Sequence, residues 1–188
     1  MARLPAVLSK PPVVLRRTTA VDVDEMLLVI EESVEHLRPW MAWAAEDPTA
    51  ESVRAHIARC DDDWDRGVDF AYAITVDSRI VGRCGTRFLA GTRGVEMGYW
   101  LHPDAVGRGI ATAATEAMLV AVFALPDVDW VEIVHDTANP RSGAIPRRLG
   151  FREVARVSPP QEPITPGEDG VDVRWRLTRT DFLASGLG

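Results

Sequence analysis

"YWLHPDAVGRGIATAATEAML", Tyr99 to Leu119, decides the reading of this chain. An apolar, strand-like piece breaks at Pro103, crosses Gly107-Arg108-Gly109, and becomes an alanine-rich helix. Ile110, Ala113, Ala114, Ala117, Met118, Ala121 and Val122 recur at i, i+3, i+4 spacing, and Pro126 ends the run. Leu119, Val120 and Phe123 make the other faces apolar too, which predicts a helix covered on several sides. Glycines at a helix start cost backbone entropy, but they let a ligand approach main-chain N–H groups. Those first-turn N–H groups have no intrahelical partner and sit at the positive end of the dipole, which suits phosphate oxygens. Val106 to Ala111 can thus hold a diphosphate on backbone donors, with Arg108 adding charge. A tight strand-to-helix bend that binds nothing explains the same glycines equally well. The stretch is not a Walker loop, because the Lys-Ser/Thr end is absent, and it lacks the third glycine of a dinucleotide fingerprint.

Outward from this stretch the chain alternates between helical and strand periods. Residues 1–11 read as a loose arm, and Val13 to Arg17 as a first strand. Thr18-Thr19 caps a helix with Val23, Met26, Leu27, Ile30 and Val34 on one stripe, which Pro39 stops. Thr49 caps a second helix with Val53, Ile57, Cys60 and Trp64 at helical spacing, ending near Gly67. Phe70 to Val76 and Ile80 to Ala90 form a hairpin about Asp77-Ser78-Arg79, and Val95 to Leu101 is a fourth strand. Val128 to His135 is a fifth strand, Pro140 to Leu149 a short helix, and Phe151 to Val157 a sixth strand. Residues 158–170 read as a Pro/Gly-rich loop and Val171 to Leu177 as the last strand. Strands 95–101 and 128–135 are joined through a helix, which predicts parallel neighbours in an otherwise hairpin-connected, mixed α/β sheet.

The length of 188 residues suits one domain. Net charge is −7, with Lys10 the sole lysine, so the basic charge is almost all guanidinium. An acidic chain without a basic footprint argues against direct nucleic-acid binding or a membrane surface. Cys60 and Cys84 have neither a disulfide framework nor metal spacing, and the four histidines are scattered, so no metal is expected. Neither a signal-peptide pattern nor a bilayer-length apolar run is present, which makes the cytoplasm the expected location.

Four motifs in order resemble one family, the GNAT (Gcn5-related) N-acetyltransferases. Gly109 and Ala111 match the acetyl-CoA motif Arg/Gln-x-x-Gly-x-Gly/Ala, with Val106 standing where Arg or Gln is usual. "ANPRSGAIPRRLGF", Ala138 to Phe151, is similar to the family's Asn-x-x-Ser…Leu-Gly-Phe segment. "HLRPWMAWA", His36 to Ala44, and "WRLTRTDF", Trp175 to Phe182, resemble the RimJ/RimL-like ribosomal-protein branch. The resemblance covers about residues 12–182, which it implies are one N-acetyltransferase domain, leaving 1–11 as a flexible arm and 183–188 as a tail. It implies a mostly antiparallel sheet of about seven strands with about four helices, and a parallel pair splayed around the cofactor.

By resemblance acetyl-CoA is the cosubstrate. Its phosphates would lie on Val106, Gly107, Arg108, Gly109, Ile110, Ala111 and Thr112, and its arm near Leu101, Asn139 and Ser142. Asn139 serves equally well as an N-cap for the helix at Pro140. Glu96 is the candidate base, and an exposed strand-end glutamate is the alternative reading. The family's tyrosine acid falls at Pro146, so Ser142 is the candidate group to meet the coenzyme sulfur. Pro146 also removes the N–H that would bond the Ser142 carbonyl, which predicts a loosened helix. Trp40 and Trp43 would line the acceptor pocket, with core packing as the alternative for either. Tyr99 and Trp100 alternate, so one should face in and one out. His135 ends a strand within reach of the cleft, or is simply structural.

These readings imply an enzyme that moves an acetyl group to a primary amine, on a protein N-terminus or a small molecule, by direct attack in a ternary complex. A non-catalytic acetyl-CoA-binding module and an aminoglycoside-type antibiotic acetyltransferase remain as alternatives. A homodimer is an expected state, because dimers are common in the family.

Overall fold

Strands β5 (Gly94–Leu101) and β6 (Trp130–Asp136) run parallel but pair over three residues only, Gly94–Glu96 against Trp130–Glu132. Beyond Glu96 and Glu132 they diverge, so a wedge opens in the sheet just ahead of the glycine turn. The helix between them, α3 (Ile110–Phe123), is the crossover that makes them parallel. The computed structural model describes residues 3–187.

The remaining strands are β1 (Val7–Lys10), β2 (Val13–Arg17), β3 (Asp69–Val76), β4 (Arg79–Phe88), β7 (Arg152–Arg156) and β8 (Asp172–Thr178). The sheet order is β1-β2-β3-β4-β5-β6-β8-β7, antiparallel everywhere except β5-β6. The helices are α1 (Val23–Leu37), α2 (Ala50–Arg66), α4 (Pro140–Arg148) and α5 (Arg179–Ser185). The β3-β4 hairpin turns on Asp77 and Ser78, both at positive φ, as a two-residue turn that follows the sheet twist requires.

The core has two parts. Val23, Met26, Ile30, Val53 and Ile57 of α1 and α2 bury Ala73 and Ile80 on one sheet face. On the other, Ile110, Ala114, Met118 and Leu119 of α3 pack on Leu15, Tyr72, Val95, Met97 and Val131. The all-round apolar α3 is largely buried as expected, with Val120 exposed and Ala111, Thr112, Ala113 and Glu116 half-buried. Because side chains alternate along β5, Val95, Met97, Tyr99 and Leu101 join the α3 core, while Trp100 packs with α1 and α2.

Two expectations for the chain ends need correction. Part of the arm is strand β1, which pairs with β2 across Pro11-Pro12, while Leu4 is buried and Pro5 O accepts the Tyr72 hydroxyl at 2.7 Å. Four residues with one apolar face carry too little periodicity to announce an edge strand. The tail is likewise partly α5, which runs to Ser185 and buries Phe182 against Phe123. Eight strands and five α-helices therefore replace the seven and four expected, and residues 1, 2 and 188 lie outside the described part. No helix among the described residues is long and apolar enough to cross a membrane.

Candidate active site

The wedge between β5 and β6 opens into a cleft of about 1020 Å³. Its floor is the end of β5, Tyr99 to Leu101, and one wall is the end of α1 with Pro39, Trp40 and Met41. The other wall is α4 with Ala138 and Asn139, and its far end is the turn and first residues of α3, Val106 to Thr112 apart from Arg108.

At that end Gly107 and Gly109 adopt φ of +79° and +76°, a region costly for residues with a Cβ. A Cβ built on either glycine would meet nothing within 4 Å, so neither is required by packing. Gly109 is the N-cap of α3 and offers its first-turn amides no side-chain acceptor. Uncapped N–H groups, two open glycines and a 14-residue helix make a cradle that fits a diphosphate. Arg148 of α4 stands over this turn with Nη1 3.0 Å from Thr112 Oγ1, and Arg141 lines the same wall. Arg108 is exposed and forms no part of the cleft wall.

Midway along the cleft, Pro146 leaves the Ser142 carbonyl without its helical partner. The Tyr99 hydroxyl crosses the wedge and donates to that oxygen at 3.0 Å. The vacancy expected in α4 is thus filled from β5, and α4 remains helical through Pro146. Burial pushes the Tyr99 phenol up to about 12, so it stays a donor at neutral pH. Asn139 Oδ1 accepts from Ser142 N at 3.1 Å, so the capping reading holds for the oxygen. Its Nδ2 remains available to a ligand.

At the α1 wall, His36 lines the cleft. Burial, with Arg141 and His102 nearby, holds its pKa below the ordinary value, which keeps the ring neutral near pH 7. Sequence reasoning passed over His36, Arg141 and Arg148, because nothing local ties a helix-end histidine to an arginine about a hundred residues away.

Not every expected residue reaches the cleft wall. Leu101, Val106, Gly107, Gly109, Ile110, Ala111, Thr112, Asn139, Ser142, Trp40 and Tyr99 do. Trp43 does not: it is 49% exposed and packs its ring on Trp100 at 5.8 Å. Trp100 itself lines the cleft alongside Tyr99, because the strand is a floor with space on both sides. His135 sits under α4, where a Cβ on Gly143 would collide with its ring. It stacks on Trp175 with 6.3 Å between ring centroids, and its Nδ1 lies 2.7 Å from Asp136 O, so the structural alternative describes its placement.

Glu96 also lies off the cleft wall, on the Trp100 face of β5, with Oε1 2.6 Å from Arg87 Nη2. It belongs to a row of charges at one level of the sheet. Asp69 pairs with Arg87, Arg87 with Glu96, Glu96 with Glu132, and Glu132 with Arg176. Glu132 is 1% exposed, and its oxygens accept from Arg174 at 2.6 Å and Arg176 at 2.8 Å. Gly98, one step along on the Glu96 face, leaves open space where a Cβ would be.

A splayed parallel pair with a diphosphate cradle at one mouth and an aromatic wall at the other defines the class of CoA-dependent acyltransferases. The sequence profile described as Acetyltransferase (GNAT) domain matches residues 13–152. The chain belongs to this GNAT acetyltransferase family and is an acetyl-CoA-dependent N-acetyltransferase. It is 27% identical over 139 residues to YdaF of Bacillus subtilis (strain 168), a proposed ribosomal N-acetyltransferase, covering 70% of this chain and 73% of that one. Its fold is similar to the RimL ribosomal L7/L12 α-N-protein acetyltransferase in complex with coenzyme A, with TM-score 0.85 and 17% identity over 94% of this chain and 99% of that one. Mycobacterium smegmatis RimJ in complex with CoA-disulfide has TM-score 0.77 and 23% identity over 98% and 92% of the two chains. The microcin C7 self-immunity acetyltransferase MccE, in complex with acetyl-CoA and AMP, has TM-score 0.83 and 18% identity over 90% and 93%.

Proposed function

We propose that this chain acetylates a primary amine, with a protein N-terminal α-amine as the acceptor class. The observation that carries the reading is the cleft itself: a glycine-opened helix start at one end, aromatic side chains at the other, and one continuous space between them. The similarity to YdaF supports a ribosomal-protein acceptor.

Acetyl-CoA, when bound, supplies the thioester that the amine attacks directly. Backbone amides of Gly109 to Thr112, with Arg148 above them, hold the diphosphate. Nδ2 of Asn139 donates to the pantetheine arm that lies over Leu101. The Ser142 hydroxyl meets the departing sulfur, and Tyr99 positions Ser142 through its carbonyl. Trp40 packs beside the acceptor, and Trp43 supports Trp100 from behind.

An α-amine has a free pKa near 8, so most of it must lose a proton before or during attack. Glu96 takes that proton through water, along the open strip above Gly98 on its own face of β5. A neutral amine beside a thioester also gains from being held in place, which lowers the barrier before any base acts.

The experiment is thiol release from acetyl-CoA with a panel of N-terminal peptides, amino acids, polyamines and aminoglycosides. Release with N-terminal peptides above all others is the expected result. Binding of acetyl-CoA without release on any amine would make this chain a binding module, and preference for aminoglycosides would make it a drug-modifying enzyme. A homodimer is the expected state of the chain in solution in this account.

A further inference from the structure

Under α2, one arginine is buried without a carboxylate beside it. Arg83 of β4 is 9% exposed, and it is the sole arginine that is buried among the described residues. Its register neighbours are Ala73 on β3 and Trp100 on β5, so its side chain rises from the middle of the sheet toward α2. Among the described residues its side-chain partners are His56 and Cys60, and no Asp or Glu pairs with it. Asp69 is near enough to feel its charge, yet burial and then Asp63 hold the Asp69 carboxyl above its ordinary value. A guanidinium taken out of water is costly unless a counter-charge meets it.

What meets it comes from two residues one turn apart on α2. Arg83 Nη1 contacts Nε2 of His56, and Arg83 Nη2 donates to Cys60 Sγ at 3.2 Å. Cys60 Sγ also lies 3.5 Å from His56 Nε2. Arg83 Nε is buried with no partner at all. His56 brings no charge: burial, with Arg83 and then Arg59 beside it, holds its pKa down to about 4, so the ring is neutral. A neutral imidazole has one acceptor nitrogen, and a thiol sulfur accepts only weakly. The group in contact with Arg83 that can become an anion is therefore the Cys60 sulfur, and Cys60 is half-buried rather than sealed in. Reactive thiols occupy such electropositive, partly exposed surroundings, whereas buried structural ones are inert. Cys84, next to Arg83 in sequence, is the contrast. Its side chain joins the α3 core on the other sheet face, and burial pushes its thiol up to about 12. His56, Cys60 and Arg83 all lie off the cleft wall.

We propose that Cys60 is a peroxide-reactive thiol, a modification site separate from the cleft, with Arg83 as the group that promotes its oxidation to the sulfenic acid. In this step a sulfur lone pair attacks one oxygen of hydrogen peroxide, and the O–O bond breaks. Sulfur keeps that oxygen as S–OH, and the other oxygen leaves as water with the thiol proton. Sulfur is oxidised by two electrons, and the peroxide is reduced by two. Arg83 Nη2 holds the negative charge that appears on sulfur as the proton departs, because its hydrogen bond is stronger to an anion than to a thiol. Cys60 lies above one face of the sheet and Cys84 below the other, so the sulfenic acid meets no second thiol within the chain.

The test reads the rate of cysteine oxidation by hydrogen peroxide in the full chain, with dimedone trapping the sulfenic acid and peptide mass spectrometry locating it. The folded protein is compared with the same protein unfolded in urea, where neither thiol is held against Arg83. Cys60 should react faster in the folded protein by about tenfold or more, the scale of one charge-assisted hydrogen bond gained on the way to the transition state. Partial burial by itself predicts the opposite order. Cys84 should react only when unfolded. Arg83→Met, which fills similar space without charge, should bring the folded Cys60 rate down to the unfolded one, whereas a loosened fold would announce itself as labelling of Cys84. Equal or slower oxidation of Cys60 in the folded protein overturns the proposal. So does an unchanged Cys60 rate in Arg83→Met with Cys84 still protected, or a Cys60–Cys84 disulfide as the product.

Discussion

The two ends of the cleft are built in opposite ways. The end proposed for the phosphates is mainly one run of chain, Leu101 to Thr112, in which the strand end, the glycine turn and the helix start follow each other directly beneath Arg148. The end proposed for the acceptor is assembled from three separate segments: the end of α1, the end of β5 and the start of α4. A local device needs only local signals, so it survives in a single sequence. A device made of distant pieces depends on contacts such as Tyr99 to Ser142, 43 residues apart, that no spacing rule announces.

Substitutions should separate the two ends by what they damage. The largest expected effect is on chemistry. Glu96→Gln should lower turnover by about a hundredfold or more, the usual range for loss of a general base, with acetyl-CoA affinity unchanged. Retained turnover would leave positioning alone as the source of rate. Gly109→Val should do the reverse. It places a β-branched side chain at φ +76° and fills the cradle. Loss of two charge-assisted bonds costs about 3 kcal/mol, on the order of a hundredfold in the acetyl-CoA Kd by calorimetry. If both variants harm affinity and turnover alike, the two ends are not separable.

Between the ends lies the Tyr99 bridge. Tyr99→Phe strands the Ser142 carbonyl and should cost about 1–3 kcal/mol of stability, a drop of several degrees in Tm. Pro146→Ala restores a helical N–H to the same oxygen, so in that background the Tyr99→Phe penalty should shrink. Equal penalties in the two backgrounds would show that the bridge does not compensate for the proline. Smaller still is Trp43→Ala, which removes one tilted ring contact worth about 0.5–1.5 kcal/mol. It should raise the acceptor KM a few fold with no change in acetyl-CoA binding.

The last effect appears only in acid. Burial disfavours the Asp136 carboxylate, but the amides of Asp169, Ala138, Val171 and Gly170 outweigh it and hold its pKa below the ordinary value. A lowered pKa in the folded chain means stability that is present above the unfolded value, about 4, and is lost as pH falls through the folded one. Hydrogen-exchange protection at Asp169 and Val171 should therefore be constant above pH 4 and decline below it, whereas the phosphate turn, with no carboxylate in its support, should not follow.

Much of the fold was legible in the sequence for the same reason as the phosphate end. The α1 stripe, the buried α3 and the parallel β5-β6 pair all follow from period and connection length. Strand β1 was missed because four edge residues carry almost no pattern. Pro146 announced an orphaned carbonyl, but not that Tyr99 would supply the donor, since the partner lies 43 residues back on another element. Trp43 and His135 were placed at the cleft by motif position and strand end. In the folded chain Trp43 backs Trp100, and His135 is held beneath Gly143. Glu96 is a candidate base by the family resemblance and its place on the strand, while its partner Arg87 belongs to a cross-strand charge row that emerges only with the register.

The central claim is that uncapped amides at the start of α3 grip a diphosphate. Calorimetry comparing CoA with pantetheine, which lacks the phosphates and the adenosine, in the unaltered chain and in Gly109→Val, where the difference should collapse, tests it most directly. CoA should bind at least about a hundredfold more tightly, as loss of several charge-assisted hydrogen bonds requires. Equal affinities for the two, or no uptake of CoA at all, would contradict the account.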